Sequence, residues 1–182
     1  MLTREEFIER VNGYWGQLYD DEKHELYQLA TMVPEGGRIV EIGALYGLST
    51  ACLALGAPGA RILSIDNWSY RPLASMLASP EENAHRLEVL GIHNVEFLTA
   101  DSMTIETPNY PIDLLWIDAG HDYEHVHHDI FTSGPAAKVI ACHDYGFSYE
   151  GVTQAIDEFV ASHPEYEIDH QTVLMVVIKK KS

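Results

Sequence analysis

Val40-Glu41-Ile42-Gly43-Ala44-Leu45-Tyr46-Gly47-Leu48-Ser49-Thr50 is the stretch from which the fold of this chain is read. A short apolar run closes on an acid, a glycine turn follows, and helix-forming sequence begins after Gly47. The same build recurs downstream. Ile62-Leu63-Ser64-Ile65-Asp66, Val95-Glu96-Phe97-Leu98-Thr99-Ala100-Asp101, Leu114-Leu115-Trp116-Ile117-Asp118 and Val139-Ile140-Ala141-Cys142-His143-Asp144 are all apolar runs that end in an acid. Runs of this kind, separated by helical stretches, read as buried strands of a parallel sheet. An open parallel sheet binds ligands in the crevice outside the carboxyl ends of its strands. All five acids are therefore expected in one crevice. Unpaired buried charge is costly, so they point to a ligand that carries hydroxyls, an amine or a metal ion.

Working outward, Thr3 and Glu6 form a capping-box pattern that opens a helix burying Phe7, Ile8 and Val11. A second helix is expected over 20–32, with Leu26, Leu29, Ala30 and Val33 at helical spacing. Further helices are expected over 48–56, 80–90, 123–133 and 152–161. Tyr166 to Lys180 should hold one or two strands, with Thr172–Ile178 the clearest. This alternation predicts an α/β fold: a doubly wound sheet of about seven strands, mostly parallel, the last antiparallel, with helices on both faces. No repeat or linker divides the chain. The expectation is one domain over 1–182, with 1–33 as an amino-terminal helical cap. The irregular stretch 67–79, with Trp68 and Tyr70, is long enough to be functional. Together with Tyr14 and Trp15 these aromatics suggest a lid.

The chain has 182 residues, 46% of them hydrophobic, and a net charge of −17 from 28 acids and 11 bases. Such a field repels nucleic-acid phosphates and anionic membrane surfaces, so neither is an expected partner. Lys179-Lys180-Lys181 reads as a solvated tail. The amino end carries charges where a signal peptide would be apolar, and no run reaches the ~20 apolar residues of a membrane span. Cys52 and Cys142 read as small core residues in a reducing, cytoplasmic setting.

The glycine turn carries the first piece of chemistry. Gly43 permits a tight turn, Gly47 permits close approach of a ligand, and free N–H groups at the following helix start attract an anionic group. No Gly-Lys-Ser/Thr follows, so it is not a phosphate loop, and the G-x-G-x-x-G dinucleotide pattern is absent. Asp66 lies where an acid typically binds ribose hydroxyls, and Asp101-Ser102 is a candidate for the adenine end of a nucleoside. Asp118, His121, His143 and Asp144 fall at the ends of adjacent strands. Carboxylates converging in this way can hold a divalent cation, and a neighbouring histidine can act as general base. His121-Asp122-Tyr123-Glu124-His125 formally matches the zinc-protease pattern H-x-x-E-H, but His121 lies only three residues past a strand end, off any shared helix face. His125, His127 and His128 read as a solvated or partly packed helix face.

The ordered set Glu-x-Gly-x-x-x-Gly-x-Ser, Ile-Asp, Asp-Ser, Ile-Asp-x-x-His-x-Tyr and His-Asp-Tyr, over roughly Gly37 to Phe159, resembles the class I S-adenosylmethionine-dependent methyltransferases. Within them it is most similar to the small O-methyltransferases of the catechol O-methyltransferase type. The resemblance implies a Rossmann-like fold and methyl transfer from S-adenosylmethionine to an oxygen of a small hydroxylated molecule. Glu41, Gly43, Ala44, Gly47 and Ser49 would line the methionine moiety. Asp66, with Asn67 and Trp68, would hold the ribose, and Asp101, Ser102 and Asp118 would complete the cofactor site. His121 would be the base, with His143 as the second catalytic candidate. Asp118, His143 and Asp144 would hold a divalent cation, Mg²⁺ or Mn²⁺. Relatives often carry a carboxylate where this chain has His143, which favours a softer ion or none. The expected partner is a small-molecule acceptor, and a homodimer is compatible with the resemblance. Two alternatives stand beside it: a non-catalytic nucleoside-binding α/β domain and a nicotinamide-dependent oxidoreductase.

Overall fold

A computed structural model describes residues 1–14, 16–70, 77–106, 108–146 and 149–181. In chain order it contains α1 (Arg4–Val11), α2 (Asp20–Thr31), β1 (Arg38–Ile42), α3 (Leu48–Gly56), β2 (Arg61–Asp66), α4 (Pro80–Val89), β3 (Val95–Thr99), β4 (Ile112–Ile117), α5 (Tyr123–Ser133), β5 (Ala137–Cys142), α6 (Glu150–Ser162), β6 (Tyr166–Thr172) and β7 (Met175–Lys180). The seven strands form one sheet in the order β3-β2-β1-β4-β5-β7-β6. Strands β1 to β5 pair in parallel. The last strand, β7, runs antiparallel to both β5 and β6. This is the expected doubly wound α/β fold.

Both faces of the sheet are covered, which is why its central strands are almost wholly apolar. Ile39, Ile62, Leu114 and Trp116 point to the side that also holds the buried faces of α1, α2, α3 and α4. Val40, Ile42, Leu115 and Ile117 point the other way, against α5 and α6. Strand order reverses between β1 and β4, and this is the switch point at which such sheets open a crevice. The local devices are ordinary ones. Thr3 and Glu6 complete the expected capping box on α1, which buries Phe7 and Val11 and leaves Ile8 half-buried. Ser79 caps α4 ahead of Pro80, and Asp122 caps α5.

The carboxyl end of the chain departs from expectation. Thr172–Ile178 is not one strand: β6 ends at Thr172 and β7 starts at Met175, with Val173 at φ 54° in the turn. A β-branched residue in the left-handed region is unfavourable, so nothing local announces this turn. Tertiary ties hold it. Leu174 N–H donates to the Glu22 carboxylate at 2.8 Å, Leu174 carbonyl accepts from Tyr145 N–H, and Gln171 donates to the Tyr145 carbonyl at 3.2 Å.

Candidate functional site

A cavity of about 690 Å³ opens at the switch point, walled by the loops that leave β1 to β5. Gly16–Tyr19, Tyr149 and Leu174 close it from the cap and the carboxyl-terminal side. Backbone strain gathers around it: Leu45, Trp68 and Asp144 have φ of 44°, 58° and 61°. Together with Val173 they are the non-glycine residues with positive φ among those described.

Gly43 has φ 96°, and a Cβ there would lie 2.0 Å from the Asp118 carbonyl oxygen. Glycine thus lets the ends of β1 and β4 close together. Gly47, at φ 81°, caps α3 with its left-handed backbone but does not itself line the cavity, whereas Gly43, Ala44 and Ser49 do. Asp66 binds this loop from β2. Its Oδ2 accepts from Ala44 N–H and Leu45 N–H, each at 2.9 Å, and its Oδ1 accepts from Trp68 N–H at 2.6 Å. Asn67, Asp101, Ser102 and Asp118 also line the cavity. Asp101 bonds Met103 N–H through its side chain, which shapes the turn at that end.

Besides Gly47, two more expected cofactor contacts lie outside the cavity lining. Glu41 does not reach the crevice. It is 0% exposed on the α3 side of the sheet, accepting hydrogen bonds from Ser49, Thr50 and Ser64 hydroxyls, each at 2.6 Å. Strand alternation sends Glu41 to the same face as Ile39, under the first turn of α3, so it supports the glycine loop from below. Burial pushes its pKa up to about 7 against the three hydroxyls that favour the charged form. Four of the five strand-end acids therefore share the crevice, and the fifth belongs to the core. The Trp68 indole is likewise buried, packed with Ala44, Tyr46 and Ala78, and its Nε1 donates to Thr99 Oγ1 at 3.0 Å. It supports the loop that presents Asn67 and Tyr70 to the cavity.

Asp118, His121, His143 and Asp144 do come together. His121 Nε2 lies 2.9 Å from Asp144 Oδ2 and 3.8 Å from Asp118 Oδ1. His143 Nδ1 lies 3.6 Å from Asp118 Oδ1 and 3.5 Å from Asp144 Oδ2. One donor atom from each of Asp118, His143 and Asp144 falls within 4.8 Å of the others. Hydrogen bonds that its ring donates to Asp118 and Asp144 hold His121 up at about 9 against its burial. Burial works against charge on His143, but Asp118, Asp144 and Glu22 outweigh it and raise its pKa well above the usual range. Burial would raise both aspartates, yet the two imidazoles hold them below it. Tyr149 stacks on His121 with ring centroids 4.5 Å apart and planes at 19°.

The remaining candidates separate cleanly. Tyr14 donates to the Arg86 carbonyl and does not line the cavity, Tyr70 does line it, and Trp15 lies outside the described residues. His125 bonds the capping Asp122 carboxylate through its N–H and its ring Nδ1 and borders the cavity, while His127 stacks on Phe131. His121 precedes the first residue of α5, so it shares no helix face with His125. The sequence reading missed Tyr19, Tyr149 and Glu22. Glu22 follows Asp20 and Asp21 in an acidic helix start, the usual pattern of a solvated first turn, and only its spacing from Tyr19 hints at a cap.

The fold is shared with solved methyltransferases. The O-methyltransferase NovP is 16% identical, with a TM-score of 0.70 over 90% of this chain and 81% of NovP. The O-methyltransferase TomG from Streptomyces achromogenes, solved in complex with SAM, is 23% identical, with a TM-score of 0.64 over 91% of this chain and 82% of TomG. An rRNA methylase from Streptococcus thermophilus is 17% identical, with a TM-score of 0.62 over 87% of this chain and 94% of the methylase. Among curated proteins none matches by sequence. The profile of the methyltransferase domain family matches residues 40–145, more than half of the chain, and the chain therefore belongs to that family of enzymes.

Proposed function

We propose that this methyltransferase moves a methyl group from S-adenosylmethionine to an oxygen of a small hydroxylated molecule. One observation carries the reading. A single cavity holds nucleoside-type acceptors at one end, Asp66 and Asp101, and the His121–Asp144–Asp118–His143 cluster at the other. The start of α3 and the Gly43–Ala44 turn suit the methionine moiety, with backbone N–H groups available to its carboxylate. Asp66 already accepts three backbone N–H bonds, so about one of a carboxylate's four lone-pair positions is left for a ribose hydroxyl. Asn67 stands beside it to serve the second.

Bound there, S-adenosylmethionine supplies a sulfonium-activated methyl group. The chain's own residues align the acceptor oxygen and exclude water. His121 is assigned as base: Asp118 and Asp144 hold its pKa at about 9, and a cation engaging those two carboxylates would loosen their hold on its proton. Its side chain is 35% exposed, while that of His143 is nearly covered. Asp118, Asp144 and His143 fit a divalent cation, which would lower the acceptor's pKa and orient it. Two carboxylates and one imidazole favour Mn²⁺ or a softer ion over Mg²⁺.

A small acceptor is supported by the net charge of −17, and by the absence of Lys or Arg among the described residues that line the cavity. No described helix is long and apolar enough to cross a membrane. Two buried free cysteines fit a cytoplasmic setting, and light scattering would decide between monomer and homodimer. The test is calorimetric titration with S-adenosylmethionine and NAD, followed by a methyl-release screen of catechols and sugars with and without divalent cations. Micromolar S-adenosylmethionine binding and cation-stimulated methylation of a hydroxyl are expected. Binding of NAD alone would overturn the reading.

A further inference from the structure

His143 has a partner on the side away from the cavity. Its Nε2 lies 3.3 Å from Oε2 of Glu22, which sits in the first turn of α2, outside the stretch matched by the family profile. Glu22 is 0% exposed, while its neighbours Asp20 and Asp21 are exposed as helix-start acids normally are. Burying a carboxylate is costly unless it is hydrogen-bonded, and this one has three partners. Its Oε2 also accepts from Tyr19 N–H at 2.9 Å, and its Oε1 accepts from Leu174 N–H at 2.8 Å. These two backbone donors hold Glu22 in place from the start of α2 and from the β6–β7 turn. A rigid carboxylate facing one ring nitrogen decides which nitrogen carries the proton. Here the other nitrogen, Nδ1, is the one that faces Asp118 and Asp144.

We propose that Glu22 is a positioning residue: it accepts the Nε2–H of His143 and so turns Nδ1 toward Asp118 and Asp144, where a cation that displaces the Nδ1 proton would find His143 as its nitrogen ligand. This rests on the cation reading above. It also makes the amino-terminal cap part of the site, because the carboxylate that orients the ligand belongs to α2. A carboxylate at position 143 would need no such partner. Glu22 and His143 therefore form one device.

The full-length protein is titrated calorimetrically with Co²⁺ and Zn²⁺ as wild type, Glu22→Gln, Asp144→Asn, His143→Asp and Glu22→Gln/His143→Asp. Wild type should bind one ion and Asp144→Asn should bind it far more weakly. Glu22→Gln, which removes the charge and one acceptor oxygen, should lose about 10–100-fold in affinity, the usual effect of mutating a ligand's hydrogen-bond partner. In the His143→Asp background the same change should cost nothing, since no ring proton remains to be accepted. If Glu22→Gln binds as wild type does, or loses equally in both backgrounds, Glu22 does not position the ligand. If wild type binds no ion, or Asp144→Asn binds as well as wild type, the cation reading falls and takes this inference with it. Should Glu22→Gln fail to fold, ¹⁵N chemical shifts of the His143 ring in Zn²⁺-loaded wild type decide. Protonated Nε2 with metal on Nδ1 supports the proposal, and any other arrangement overturns it.

Discussion

Two carboxylates, Glu41 and Asp66, show how little residue type says about role. Both end or nearly end a strand, and both look like cofactor ligands. Alternation along β1 turns Glu41 into the core, where its pKa stands at about 7 against an ordinary 4.5. Between those values the folded protein keeps a proton that the unfolded chain has released. The stabilisation from that proton is complete below the ordinary value and is lost as pH rises to about 7. Glu41→Gln should therefore flatten the pH dependence of urea-unfolding free energy between about pH 5 and pH 7; an unchanged slope would place the titrating group elsewhere. Glu41→Ala should cost roughly 2–4 kcal/mol, because it strands the Ser49, Thr50 and Ser64 hydroxyls. Asp66 does reach the crevice, but it also ties the β1 loop to β2. Asp66→Ala should weaken S-adenosylmethionine binding by roughly 1–3 kcal/mol and lower the melting temperature together. A folded Asp66→Ala protein with unchanged affinity removes Asp66 from the site.

At the scale of elements, the site is made where strand ends touch. The seam between β1 and β4 is so close that Gly43→Ala has no room: φ is 96° and the new methyl would meet the Asp118 carbonyl. Circular dichroism melting should show a loss of several kcal/mol, and cofactor binding should disappear. A protein that melts and binds as wild type does would mean the seam can open. The β6–β7 turn stores strain in the opposite sense. Val173 is 45% exposed and sits at φ 54°, so its side chain contributes little packing while its backbone is unfavourable. Val173→Asn should raise the unfolding free energy by about 1 kcal/mol, since asparagine tolerates the left-handed region that a β-branched residue resists. A decrease in urea midpoint would show that Val173 packs against something that matters. Because Leu174 in this turn binds Glu22, the substitution also tests whether the turn and the cap are energetically one unit.

For the whole molecule, catalysis should divide between cofactor site and cluster. His121→Ala is expected to lower turnover by about 10²–10⁴-fold, the usual range for a general base, with cofactor affinity nearly unchanged. If His143→Ala abolishes turnover and His121→Ala does not, the base is misassigned. Exhaustive chelation should lower turnover by roughly 10²-fold or more, the scale of several kcal/mol of charge stabilisation. Full activity after chelation would leave the proton chemistry to the histidines alone.

The sheet, the order of helices and strands, and the crevice were all legible in the sequence, because buried parallel strands must be apolar and must alternate with helices whatever else they do. Asp118, His121, His143 and Asp144 were legible too, as each stands at or just past a strand end, and strand ends of a parallel sheet converge. What lies behind those residues was not. Side-chain direction sent Glu41 and Trp68 away from the cavity, and only the packing of α3 and the β2 loop shows it. The β6–β7 turn is held by long-range bonds that outweigh its local preference. Glu22 meets His143 across 121 residues of chain. A sequence specifies local periodicity and propensity, but a contact between a helix start and a distant strand end exists only once the whole sheet has closed around it.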